Sequence, residues 1–93
     1  MKTTFLSLAS SILQRLEIAL TEQEREMDCV YIEIPNLIDD VNNNTFFEER
    51  SNIGLAAIRL KDIGVYQDDR LVKDIIQLDD LYRNMKKKYS EEN

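Results

Sequence analysis

An all-α fold follows from three features of this sequence. Gly occurs twice and Pro once in 93 residues, too few turn formers for a sandwich or barrel, which needs one roughly every 8–12 residues. Apolar side chains recur at spacings of three and four through most of the chain, the pitch of a helix face rather than the alternation of a strand. The β-branched apolar runs that form the buried strands of a doubly wound α/β domain are too sparse. The expected architecture is a small four-helix bundle, or a pair of helical hairpins, in one domain over residues 1–93, with its core completed by dimerisation.

The first helix is expected over about 4–20. Phe5, Leu8, Ala9, Ile12, Leu13, Leu16 and Leu20 form one stripe, widened by Leu6, Ile18 and Ala19, and Thr3 or Thr4 is placed to cap it. Lys2 and the apolar run Phe5–Leu13 have a faint signal-peptide character. Gln14, Arg15 and Glu17 interrupt that run before any small-x-small cleavage site, so it reads as the first helix of the mature protein.

Thr21-Glu22-Gln23-Glu24 has the pattern of a capping box and opens a second helix over 22–41. Its stripe is Met27, Val30, Tyr31, Ile34, Leu37, Ile38 and Val41, with a kink or break expected near Pro35, where a backbone donor is lost. The rival reading of residues 29–34 is a short edge strand, since Cys29-Val30-Tyr31-Ile32-Glu33-Ile34 is rich in β-formers and ends at that proline. Such a strand would have to find its partner across a dimer.

Asn42-Asn43-Asn44 marks a loop. Thr45-Phe46-Phe47-Glu48 repeats the capping-box pattern and opens a third helix over 46–63, with Phe46, Ile53, Ala56, Ala57, Leu60 and Ile63 inward. Gly54, Ala56 and Ala57 admit a close neighbour, and Gly64 stands where a left-handed C-terminal cap belongs. Asp68 or Asp69 caps a fourth helix over 68–88, with Leu71, Val72, Ile75, Leu78, Leu81, Tyr82 and Met85 inward. Arg83, Lys86, Lys87 and Lys88 are placed to oppose its dipole, and residues 89–93 are expected to fray. That helix spans about 30 Å, against a radius of gyration of about 12 Å for a monomer of this length. The mismatch is the argument for a homodimer or hetero-complex.

Apolar residues at 43% support a globular chain, but one with a thin core. The net charge is −6, and residues 1–47 carry most of it, with three bases (Lys2, Arg15, Arg25) against eight acids. Nucleic-acid binding is disfavoured, because no broad cationic face is available to displace counterions from phosphates. The single Cys29 leaves no intramolecular disulfide and fits a reducing, cytoplasmic setting; it reads as a small core side chain. No run approaches the roughly 20 apolar residues of a membrane span.

Chemistry is scarce. With no His, most zinc sites and imidazole catalysis are excluded. The acid pairs Asp39-Asp40, Asp68-Asp69 and Asp79-Asp80 have no calcium-loop spacing. The first two read as helix caps and solvated surface, and the third as the wet side of the last helix. No catalytic, cofactor-binding or metal-binding residue is therefore named, and no cofactor is expected. Phe46, Phe47, Val65 and Tyr66 are the candidate partner-binding residues, since adjacent aromatics cannot both face one core and aromatics dominate interface hot spots. Arg83, Lys86, Lys87 and Lys88 are the candidate anion contact. The function these features suggest is a non-enzymatic protein-protein interaction module: a small acidic adaptor, inhibitor, chaperone or antitoxin-like protein. The alternative is a DNA-related regulator, by helix-turn-helix-like contact or by acidic mimicry of DNA, although Asp68, Asp69 and Asp74 at the head of the would-be reading helix oppose direct contact.

Overall fold

A computed structural model describes residues 1–92. Among them the chain forms five helices and no strand: α1 Lys2–Ala19, α2 Glu22–Met27, α3 Cys29–Asn43, α4 Ile53–Asp62 and α5 Asp69–Glu92. The stretch 29–34 that competes between helix and strand is the start of α3. The principal extents are 41 × 22 × 21 Å and the radius of gyration is 13.1 Å. An elongated body thus houses the long α5 within one chain, and helix length ceases to be a reason for dimerisation.

α1 begins at Lys2 without a side-chain cap, ahead of the threonines expected to supply one. It ends where Leu20 turns extended (φ −110°, ψ 145°). The Thr21 box then forms as its residues dictate: the Glu24 amide donates to the Thr21 hydroxyl at 3.2 Å, and the Thr21 amide donates to the Glu24 carboxylate at 2.9 Å. Arg25 turns back and donates to the Glu17 and Leu20 carbonyls, both at 2.9 Å, two acceptors that the end of α1 leaves without helical partners.

The break expected at Pro35 lies instead at Asp28. Asp28 is extended (φ −84°, ψ 111°), ends α2, and caps α3 by accepting from the Tyr31 amide at 2.8 Å. α3 continues through Pro35, an exposed position where the missing donor leaves the buried face untouched. α3 ends at Asn44 in the left-handed region (φ 52°), as the asparagine run suggests.

The second Thr-x-x-Glu pattern does not open a helix. Residues 44–52 are irregular, and α4 starts only at Ile53, capped by the Asn52 side chain on the Leu55 amide at 3.0 Å. α4 closes as expected at Gly64 (φ 86°): the Val65 amide donates to the Leu60 carbonyl at 2.8 Å and the Gly64 amide to that of Lys61 at 3.0 Å, the paired bonds of a Schellman ending. Asp68 caps α5 through the Arg70 amide at 2.9 Å. Helix persists to Glu92, so the tail does not fray over 89–92; Asn93 lies outside the described residues. The basic residues Arg83 and Lys86–Lys88 accordingly precede the last turn, which holds no base.

The four longer helices pack as antiparallel neighbours. Glu17 of α1 meets Tyr31 of α3, Arg15 of α1 meets Asp74 of α5, and Lys61 of α4 meets Asp69 of α5. The core lies between them, with Phe5, Ile12 and Leu16 against Val30, Ile34, Leu37, Ile53, Ala57, Ile75, Leu78 and Tyr82. α4 and α5 share the most extensive packing, and Gly54 of α4 faces Ile76 of α5 across it, where a Cβ would stand 3.4 Å from the Ile76 Cα.

Candidate functional site

Three polar groups are built into the interior around Asp28, Asp40 and Asp79, and local sequence assigns the last two to caps or wet surface. Asp40, expected as a cap or wet surface, is buried. Arg50 holds it with both arms, Nε to Oδ2 at 2.9 Å and Nη2 to Oδ1 at 3.0 Å, while the Tyr82 hydroxyl donates to Oδ2 at 2.7 Å. Burial pulls the Asp40 carboxyl upward, and the Arg50 and Tyr82 hydrogen bonds more than reverse it, leaving it below its ordinary value. The same contact raises Arg50, so both charges persist. Glu33 accepts from the Ser51 amide at 2.8 Å, and Arg83 donates to the Arg50 carbonyl at 3.1 Å. Together these bonds strap the irregular segment 44–52 across α3 and α5.

At the other end of α3, Asp28 is also buried. The Tyr66 hydroxyl donates to both of its oxygens, at 2.9 and 2.7 Å. Burial first, and the neighbouring Asp28 carboxylate second, push the Tyr66 phenol far above its usual range, so it stays a donor at any physiological pH. This bond ties the connection between α4 and α5 to the joint between α2 and α3.

Asp79, expected on the wet side of the last helix, is the third buried acid. Its Oδ2 lies 3.5 Å from Arg83 Nε, while Oδ1 has no hydrogen-bond partner among the described residues. Burial raises its pKa against the pull of Arg83 and the Ile53 amide. Among the described residues no three acids or thiols converge as a metal site. Cys29, expected in the core, is exposed.

The four candidate partner-binding residues divide by burial and by position. Phe46 is buried and packs its ring at a tilt against Tyr82 and Tyr89, with centroids at 5.6 and 5.4 Å. Tyr66 is buried on Asp28. Neither can offer surface to a partner, because irregular backbone lets each turn inward and fill an end of the body. Phe47, 76% exposed, sits at the end formed by Met1 and the C-terminal part of α5, where it meets Tyr89 edge-on. Val65 lies at the opposite end. Of the candidate anion contacts, Arg83 serves Asp79 and the Arg50 carbonyl, and Lys86 donates to the Glu48 carbonyl at 3.2 Å. Lys87 and Lys88 are exposed.

Val65 belongs to a surface that sequence reasoning missed. Met27 and Ile63, both expected on inward stripes, are 86% and 73% exposed and stand with Val65 at the end of the molecule where α2 faces the α4–α5 connection. Two adjoining hollows meet there, sharing Glu24 and Val65. One, of about 200 Å³, is floored by Leu20 and Leu60; the other, of about 520 Å³, runs from Ile63 to Leu71. Their apolar lining is exposed because α2 ends at Asp28, one residue beyond Met27, which turns Met27 out of the α3 stripe. Ile63 is likewise the last residue before the Gly64 reversal. The neighbours Asp28 and Gly64 were the legible signals.

Comparison with protein-family models, with curated proteins and with solved structures found no match.

Proposed function

We propose that this chain is a non-enzymatic protein-interaction module, a small acidic adaptor, inhibitor, chaperone or antitoxin-like protein. It docks through the end where α2 meets the α4–α5 connection. The observation that carries the reading is that Met27, Ile63 and Val65, three exposed apolar side chains from two separate segments, line two adjoining hollows that share Val65, the smaller of them floored by Leu20 and Leu60. Isolated exposed apolar residues are ordinary on any surface, whereas a contiguous concave group is what a partner's side chains fill. The trough is braced from beneath by the buried Asp28–Tyr66 bond, so its shape is set before a partner arrives.

The test is affinity capture from the native source with the wild-type chain and with Ile63→Asp. A partner recovered in stoichiometric amount by the wild type and lost with the substitution supports the reading. Recovery of no stoichiometric partner, or of one indifferent to position 63, refutes it. Ile63 lies outside the core, so the variant keeps its helical circular dichroism.

A further inference from the structure

We infer that the partner segment seated in this trough is a basic amphipathic helix. The inference rests on the reading of the end as a docking surface and adds the chemistry of the occupant. Among the described residues, the charged groups lining the two hollows are Glu24, Asp28 and Asp68, acids without exception. Asp28 is occupied by Tyr66, and the Glu24 and Asp68 carboxylates, each of which also caps a helix start, stand exposed on the rim of the larger hollow. Glu22 and Glu26 extend the acidic character along α2. Of the cations near this end, Arg25 donates backward into the end of α1 and Lys61 pairs with Asp69 at 2.7 Å, while Arg59 and Arg70 line neither hollow. An aliphatic hollow joined to a larger one rimmed by carboxylates matches a segment with aliphatic anchors a helical turn apart and Lys or Arg on its flanks.

The same geometry argues against a second copy of this chain as the occupant. A two-fold dimer through this end would set each acidic lip against its own image, in a chain that already carries a net charge of −6. α2, which borders the trough, buries none of its residues and is held by its capping box, by Arg25 and by the braced Asp28 joint, so its acidic side chains are presented in a fixed place.

Two fluorescein-labelled helical peptides test the inference by anisotropy against the full chain. One carries Leu on one face and Lys on the other; its counterpart replaces each Lys by Glu. The Lys peptide is expected to bind at least about tenfold tighter than the Glu peptide, and to weaken as salt rises. Ile63→Asp and Met27→Asp each add a negative charge, so a diffuse attraction would strengthen. Docking in the trough requires them to weaken binding by about tenfold, while Phe47→Asp at the opposite end leaves it unweakened. Equal binding of both peptides, or binding that Ile63→Asp fails to weaken, overturns the inference. So does a homodimer, seen by sedimentation, that Ile63→Asp dissociates. If neither peptide binds but a native partner is captured through position 63, the basic helix is refuted and the docking function stands. If no partner is captured either, both fall.

Discussion

The two ends of α3 solve one problem in different ways. Each carries a buried aspartate and each receives a tyrosine hydroxyl from a residue far along the chain, Asp28 from Tyr66 and Asp40 from Tyr82. At Asp40 a forked guanidinium from Arg50 completes a charged pair, and nine residues of irregular chain are strapped down by it. At Asp28 the donors are the neutral Tyr66 hydroxyl and the Tyr31 amide. The difference teaches where rigidity is invested. The charged end anchors a loop that has little secondary structure of its own. The Asp28 end, whose donors are uncharged, anchors a joint between well-capped helices and shapes the trough above it.

The substitution that breaks the comparison most strongly is Arg50→Ala. It leaves Asp40 buried beside one phenol, and is expected to cost about 3–5 kcal/mol of unfolding free energy in urea titrations. Next, Tyr66→Phe removes the only side-chain donor to Asp28 among the described residues and should cost about 2–3 kcal/mol, whereas Tyr82→Phe should cost about 1 kcal/mol because Arg50 still satisfies Asp40. Equal losses would show that the two ends do not differ as described. Thr21→Ala, which removes the box from α2, is worth about 1 kcal/mol and should loosen amide exchange at the trough end alone.

The smallest effect concerns Asp79, which shares Arg83 with the charged end. Its raised pKa means the folded chain binds its proton more tightly than the unfolded one. Its contribution is then fully present below the ordinary value of 3.8 and is lost as pH rises through the folded value. Asp79→Asn is accordingly expected to stabilise by up to about 1 kcal/mol at neutral pH and to give no gain in acid. Asp40 has the opposite sign. Its folded value is lowered, so its contribution is present above 3.8 and lost as pH falls through the folded value. Thermal melts of the wild type and Asp40→Asn across pH 2–7 should therefore converge at the acid limit.

Much of the helical frame was readable before any coordinates. The stripes on the first and last helices, the Thr21 box, the Asp68 cap and the Gly64 reversal all depend on residues within a turn or two of one another. Two failures are instructive. Thr45-Phe46-Phe47-Glu48 satisfies the local rule for a helix start, but Phe46 lies between Tyr82 and Tyr89, and that packing holds the segment out of a helix. Pro35 satisfies the local rule for a break, yet it falls on the exposed side of α3, and Asp28 supplies the real one. The trough is missed by helix periodicity for a related reason. Met27 fits the period of the following helix, and only the turn at Asp28 takes it off that face.

The sequence by itself determined that this chain is helical, roughly where its caps fall, and that it carries no imidazole chemistry, because helix periodicity and capping are short-range and composition is absolute. Tertiary structure alone decided which aspartates are buried, where the second predicted helix divides, and which apolar residues stay in water. Those outcomes depend on pairings such as Asp28 with Tyr66 and Asp40 with Tyr82, separated by 38 and 42 residues. A carboxylate becomes an interior group only when chain packing brings a donor to it, and no local pattern announces that meeting.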